Sequence, residues 1–142
     1  MNEDYLKLEN QLCHRLYMAS NGIVRSYRPL LEAIELTYPQ YVVMMAMWEH
    51  KKLTIAQLLE KTAIDGGAMT LILKKMMAKS LLDIVKDEQD KRKKWVILTP
   101  QGDALKALAL TIPSKIRCSF PSLTVDDLAN LTKLLDKLLV EM

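Results

Sequence analysis

The apolar residues of this chain recur at helical spacing except in one stretch, residues 82–98, where the pattern changes to that of two short strands. Residues 82–86 alternate, a charged tip follows at residues 87–93, and a second strand-like run occupies residues 95–98. This pattern predicts a β-hairpin. Because the 142 residues include only four glycines and five prolines, the rest of the chain is expected to be helical. The predicted fold is therefore mainly α with one small β element.

Six helices are predicted around the hairpin from the three-four spacing of apolar residues. Their expected bounds are residues 3–34, 38–50, 55–61, 68–79, from 100 past Pro113 towards 118, and from 125 to the last turn. The second is apolar on almost every side, which is typical of a buried helix. Threonines precede four of these segments as candidate N-caps, at positions 37, 54, 99 and 124.

The third and fourth predicted helices, separated by Asp-Gly-Gly at residues 65–67, form a helix-turn-helix candidate. In the fourth, Met69, Ile72, Leu73 and Met76 form the inward stripe, and Thr70, Leu71, Lys74 and Lys75 lie off it. A helix pair with lysines on one face is common in helical proteins. The basic hairpin that follows directly favours a winged helix-turn-helix, in which one helix fits the major groove and the tip contacts phosphates or the minor groove.

Charge and composition exclude several other classes. The net charge of +3 is small, but it is concentrated in two clusters, Lys74, Lys75 and Lys79, and residues 91–94. No apolar run is long enough to cross a bilayer, and the acidic start does not resemble a signal peptide, so we expect a cytoplasmic protein without membrane association. The chain has only two cysteines, far apart in sequence, and two histidines, so we expect neither a metal site nor another cofactor.

Five short motifs resemble those of a known family. They are Asp-Lys-Arg at 90–92, Leu-Thr-Pro-Gln-Gly at 98–102, Leu-Glu-Asn-Gln-Leu-Cys at 8–13, Thr-Tyr-Pro-Gln-Tyr at 37–41 and Trp-Glu-His at 48–50. On these motifs the chain resembles the MarR family of transcription regulators over essentially its whole length. The last three are similar to those of its organic-hydroperoxide-sensing (OhrR-type) repressors.

The resemblance implies a single domain over residues 1–142. A winged helix-turn-helix lobe would occupy residues 37–99, and residues 1–36 and 100–142 would form dimerisation helices. The first and last helices carry apolar stripes that a winged lobe does not need, and a second copy would bury them. Such a homodimer would bind double-stranded DNA as a repressor, with its two recognition helices about 34 Å apart on a pseudo-palindromic operator.

The resemblance also implies roles for individual residues. Cys13 would react with an organic hydroperoxide, Tyr27 and Tyr38 would hydrogen-bond its thiol with Tyr17 nearby, and Cys118 is a candidate resolving cysteine. Arg92 would enter the minor groove, Asp90 would orient it, and Thr70, Lys74 and Lys75 would face DNA. The chain departs from the subgroup at Gly66 and Ala68, which lack the hydroxyls expected there, and this leaves the preferred operator open.

Helical geometry places a condition on the thiol site. Cys13 and Tyr27 are fourteen residues apart, so on one straight helix they share a face within about 40° but lie about 21 Å apart. Unless this helix breaks sharply, Tyr27 can therefore contact Cys13 only from a second subunit whose first helix runs antiparallel. Oxidation of the thiolate would give a sulfenic acid, which a second thiol can capture as a disulfide.

Four other interpretations stay open at this point. In the first, Cys13 is only a buried free cysteine, and in the second the regulator responds to a small aromatic ligand. In the third the chain is a thiol peroxidase, and in the fourth it is a helical interaction protein that does not bind DNA. The sequence has no redox-partner motif that a peroxidase would need, so we expect a non-enzymatic protein.

Overall fold

The computed structural model describes all 142 residues and divides into two compact units, Met1–Leu110 and Thr111–Met142. The helices and strands are α1 (Leu12–Glu32), α2 (Tyr38–His50), β1 (Lys52–Thr54), α3 (Ile55–Thr62), α4 (Gly66–Ala78), β2 (Leu82–Lys86), β3 (Lys94–Leu98), α5 (Pro100–Ala109), α6 (Ile112–Cys118) and α7 (Val125–Val140). The predicted mainly α architecture with a winged helix-turn-helix is confirmed. The functional division at residues 37 and 99 stays a prediction.

The four predicted threonine caps all act at helix starts. Thr37, Thr54 and Thr124 each form a capping box, in which the hydroxyl accepts from the backbone N–H three residues on and that residue's side chain accepts from the threonine N–H. The hydroxyl of Thr99 accepts from the backbone N–H of Gly102. Because each cap satisfies an otherwise unpaired donor, these helix starts could be located from sequence.

The start of the first helix was predicted wrongly. Two short 3-10 turns, Glu3–Leu6 and Leu8–Asn10, precede it, and α1 begins only at Leu12. The side-chain amide of Gln11 donates to the backbone carbonyls of Tyr5 and Lys7 at 2.7 and 2.8 Å. Side-chain bonds of this kind offer the backbone an alternative to helix.

Two further helix bounds differ from prediction. The Asp65 carboxylate accepts from the backbone N–H of Gly67 and Ala68, so the glycines form the first turn of α4 rather than a break. The predicted fifth helix is two helices, because α5 ends at Ala109 and Pro113 lies in the first turn of α6. Proline is favoured in a first turn, where its missing N–H costs nothing.

The sheet has three strands in the order β1-β3-β2, all antiparallel, where the sequence predicted only the β2–β3 hairpin. Strand β1 pairs Leu53 with Val96 and Thr54 with Trp95. A strand of three residues is too short to show an alternating pattern. Val96, Leu53 and Leu82 are buried on one face of the sheet, whereas Trp95 lies on the opposite face.

The core of the first unit surrounds α2. Its most deeply buried side chains come from six elements and are Leu31, Val43, Met44, Met47, Leu58, Met69, Met76, Leu82 and Val96. On α1 burial is confined to the last turn, and α7 contains no buried residue. Large apolar side chains of α7, such as Leu134 and Val140, are exposed in the single chain. No helix has the length and apolar composition that a membrane span requires.

The junction between the sheet and α5 is unusually close. The Thr99 hydroxyl donates to the carbonyl of Ser80 at 2.7 Å or that of Leu81 at 3.0 Å, and the indole N–H of Trp48 donates to the carbonyl of Gly102 at 2.9 Å. A Cβ at Gly102 would lie 2.2 Å from the carbonyl oxygen of Leu81. The Leu-Thr-x-x-Gly motif therefore has a structural cause, since only glycine fits this contact.

Candidate functional site

The helix-turn-helix consists of α3, the turn at Asp65 and α4. As predicted, Met69, Leu73 and Met76 are buried and Ile72 is partly buried, while Thr70, Leu71, Lys74 and Lys75 are exposed. The hydroxyl of Thr70 donates to the carbonyl of Gly66 at 3.1 Å within the same helix. Helix α4 thus presents a surface with two cationic side chains, a geometry suited to the major groove.

The tip of the wing, residues 87–93, projects Arg92 into solvent. The Arg92 backbone N–H and its guanidinium Nε both donate to Asp90 Oδ1, at 3.1 and 3.3 Å, while 93% of the Arg92 side chain stays exposed. The predicted pair is therefore in contact, with the guanidinium free to contact a partner.

Sequence reasoning missed two residues at the base of the wing, Asp87 and Trp95. The indole N–H of Trp95 donates to Asp87 Oδ1 at 2.9 Å, and the other carboxylate oxygen accepts from the backbone N–H of Gln89 and Asp90. The Trp95 bond, followed by these backbone bonds, lowers the pKa of Asp87 from its ordinary value. A tryptophan on the outer face of a strand was the feature that could have indicated this contact.

A groove of about 780 Å³ separates the wing from the start of α3. It is lined by Thr54, Ile55, Ala56, Leu59, Asp90, Arg92, Lys93 and Lys94. Three of the lining side chains are cations and one is an anion, so the groove favours a polyanion.

Cys13 is a free, exposed thiol in the first turn of α1, so the interpretation of a buried cysteine does not hold in the single chain. Tyr17, one turn further on, is also exposed, and its ring stacks on that of His14 with centroids 6.3 Å apart. Cys118, the last residue of α6 rather than of a fifth helix, is a second free and exposed thiol.

Tyr27 and Tyr38 lie together in an aromatic cluster with Tyr41. The ring centroids are 5.0 Å apart for Tyr27 and Tyr38 and 5.8 Å for Tyr27 and Tyr41. Burial, and then the neighbouring phenol of Tyr38, raise the pKa of Tyr27, and burial likewise raises that of Tyr41. These phenols therefore stay protonated at neutral pH and can donate hydrogen bonds. Tyr41, which is almost fully buried, had no predicted role in the site.

The structure does not bring Cys13 and the tyrosine cluster together within one chain. Helix α1 runs unbroken from Leu12 to Glu32 through Gly22 and Pro29. The separation of about 21 Å expected along a continuous helix between Cys13 and Tyr27 therefore applies. A contact between the Cys13 thiol and this tyrosine cluster therefore requires the cluster of another molecule.

The chain is similar to several transcription regulators. A family model described as transcriptional regulator SarA/Rot matches residues 25–107. The organic hydroperoxide resistance transcriptional regulator of Bacillus subtilis is 40% identical over 113 residues, 80% of this chain and 77% of the relative. Among solved structures, BpsR of Bordetella bronchiseptica has a TM-score of 0.83 at 28% identity, over 90% of this chain and 98% of that one. A MarR mutant from E. coli, complexed with operator DNA, has a TM-score of 0.83 at 25% identity, over 90% and 93%.

Proposed function

Because the chain belongs to the MarR/SarA family of DNA-binding, winged-helix transcription regulators, we propose that it is a homodimeric repressor that leaves its operator when an organic hydroperoxide oxidises Cys13. One observation supports this above the others. Cys13 is a free, exposed thiol on a helix whose own tyrosine cluster lies out of its reach. A second subunit with an antiparallel α1 would supply that cluster.

DNA binding is assigned to two exposed cationic surfaces. Lys74, Lys75 and Thr70 on α4 would face the major groove, and Arg92, held by Asp90, would enter the minor groove. The MarR relative bound to operator DNA supports this placement. In a two-fold dimer the paired surfaces would fit a pseudo-palindromic operator.

The first step of the proposed chemistry, oxidation to a sulfenic acid, needs only Cys13 and the hydroperoxide. The thiolate attacks the terminal oxygen of the hydroperoxide, an S–O bond forms, and the O–O bond breaks to release an alcohol after protonation. The thiolate is oxidised to sulfenic acid while the hydroperoxide is reduced. Phenol donors from Tyr27 and Tyr38 of the second subunit, with Tyr17 nearby, would stabilise the thiolate. A thiol such as Cys118 would then capture the sulfenic acid as a disulfide and release water.

The test is a gel shift with a duplex that the reduced wild-type protein enriches from a random-sequence library. Cumene hydroperoxide should release the duplex, dithiothreitol should restore binding, and intact mass should show one added oxygen or a disulfide. Undiminished binding after Cys13 is oxidised would contradict the proposal. Steady peroxide turnover with a thiol reductant would instead indicate a peroxidase.

A second candidate effector is a small aromatic acid, because 6-hydroxynicotinic acid regulates DNA binding by the related BpsR. Under this alternative, 6-hydroxynicotinic acid should release the duplex in the presence of dithiothreitol. Replacing Cys13 with serine would not alter that release. Insensitivity to the acid at all concentrations, with release by peroxide, would favour the redox proposal.

We expect Arg92→Ala to weaken binding to the enriched duplex about tenfold, in line with roughly 1–3 kcal/mol for a specific side-chain contact. Fluorescence anisotropy at fixed salt measures the change. Lys91→Ala is the matched control, because it removes the same charge from the same tip without touching the contact with Asp90. Equal losses for the two variants would show that Arg92 contributes only charge.

A further inference from the structure

Trp95 occupies the outer face of the wing sheet, where the core does not require it. Successive side chains of β3 point to opposite faces of the sheet. Val96 is buried with Leu53 on the inner face, and Trp95 pairs with Thr54 and Val85 on the outer face. A large aromatic side chain at such a position would ordinarily be fully exposed, yet Trp95 is only partly so. Something on the outer face therefore covers the indole.

Two lysines and one carboxylate cover it. The ammonium groups of Lys52 and Lys93 lie 4.5 and 4.6 Å from the centroid of the Trp95 ring, within cation–π range. Lys52 belongs to the neighbouring strand β1, and Lys93 is the tip residue directly before β3, so the ring contacts both the sheet and the tip. The indole N–H meanwhile donates to Asp87 at the other end of the tip.

Asp87 links these contacts to the conformation of the tip. Its carboxylate accepts from the backbone N–H of Gln89 and Asp90, and its own N–H donates to the carbonyl of Lys93. Asp90 in turn accepts from Arg92. A continuous set of bonds thus runs from the Trp95 ring to the exposed guanidinium.

We propose that Trp95 is a positioning residue that fixes the base of the wing and thereby holds Arg92 where it can contact DNA. The proposal rests on the role of Arg92 given above. Without the indole, the tip would lose the Trp95–Asp87 bond and both cation–π contacts, and Arg92 would sample more orientations before binding.

The experiment uses Trp95→Phe, which removes the N–H donor but keeps a ring, and Trp95→Leu, which removes both. Hydrogen exchange of the amides in residues 87–93 should be about tenfold faster in Trp95→Leu, with Trp95→Phe intermediate, as expected for loss of a hydrogen bond and cation–π contacts. Ile97→Val, on the same face of β3 but farther from the tip, is the control and should exchange as wild type does.

Affinity for the enriched duplex provides a readout that a merely structural role would not give. Trp95→Leu should weaken binding about tenfold in the wild-type background and cause no further loss in Arg92→Ala, because coupled residues are not additive. Unchanged exchange in Trp95→Leu, or equal losses of affinity in both backgrounds, would overturn the proposal. If Arg92→Ala itself binds normally while exchange in Trp95→Leu accelerates, the role of Arg92 fails and the fixing of the wing stands.

Discussion

Cys13→Ser protein should bind the enriched duplex as the wild type does and should remain bound when cumene hydroperoxide is added. Serine has nearly the shape of cysteine, but its hydroxyl does not ionise to a nucleophile as a thiol does. Because Cys13 lies in the first turn of α1, outside the helix-turn-helix and the wing, the substitution leaves the DNA-facing surfaces intact. The gel shift measures both properties in one titration.

Cys118→Ser is the matched control, since it removes the chain's other exposed thiol. This variant should still be released by peroxide. If Cys118 resolves the oxidised Cys13, the variant should accumulate sulfenic acid and form no disulfide on a non-reducing gel. Complete release of the Cys13→Ser protein by peroxide would rule out Cys13 as the sensor.

Gly102→Ala should lower the free energy of unfolding by about 3 kcal/mol, at the upper end of overpacking costs. The added Cβ would lie 2.2 Å from the carbonyl oxygen of Leu81 and 2.9 Å from a methyl group of Leu98. That carbonyl cannot retreat freely, because it accepts from both the hydroxyl and the backbone N–H of Thr99. Denaturant unfolding at one fixed protein concentration measures the change, since a dimer's stability depends on concentration.

Gly66→Ala is the control for Gly102→Ala. A Cβ at Gly66 would meet no atom within 4 Å, and the residue is helical. We expect a change between zero and a gain of about 1 kcal/mol, the most that alanine contributes over glycine in a helix. Equal destabilisation of both variants would mean that the contact with Leu81 is not the cause.

The helix ends lack the glycine that usually marks such positions. Helices commonly end in a left-handed residue that is usually glycine, but here Glu35, Lys51, Ala63 and Ser80 adopt positive φ instead. Without glycine at these positions, local sequence offers no strong stop signal. Four helix starts, in contrast, have threonine caps that act within three residues and were placed correctly, whereas the start of α1, which has no side-chain cap, was not.

In the candidate site, contacts between residues close in sequence could be predicted, and contacts between separate segments could not. The exposure of Lys74 and Lys75 followed from helical periodicity, and the contact between Asp90 and Arg92 joins residues two positions apart. The contact between Asp87 and Trp95 joins opposite ends of the wing tip, and β1 reaches β3 from more than forty residues away in sequence. No periodic pattern in the sequence marks either contact, so neither could be predicted.

The four threonine-capped helix starts, the position of the hairpin and the spacing that separates Cys13 from Tyr27 could be predicted from the amino-acid sequence, because they depend on bonds and periods within a few residues or along one helix. The third strand of the sheet, the hydrogen bond between Trp95 and Asp87, and the need for a residue without a side chain at position 102 became visible only in the folded chain. Each of these depends on atoms distant in sequence coming within a few ångströms, a distance that packing sets and local propensity does not.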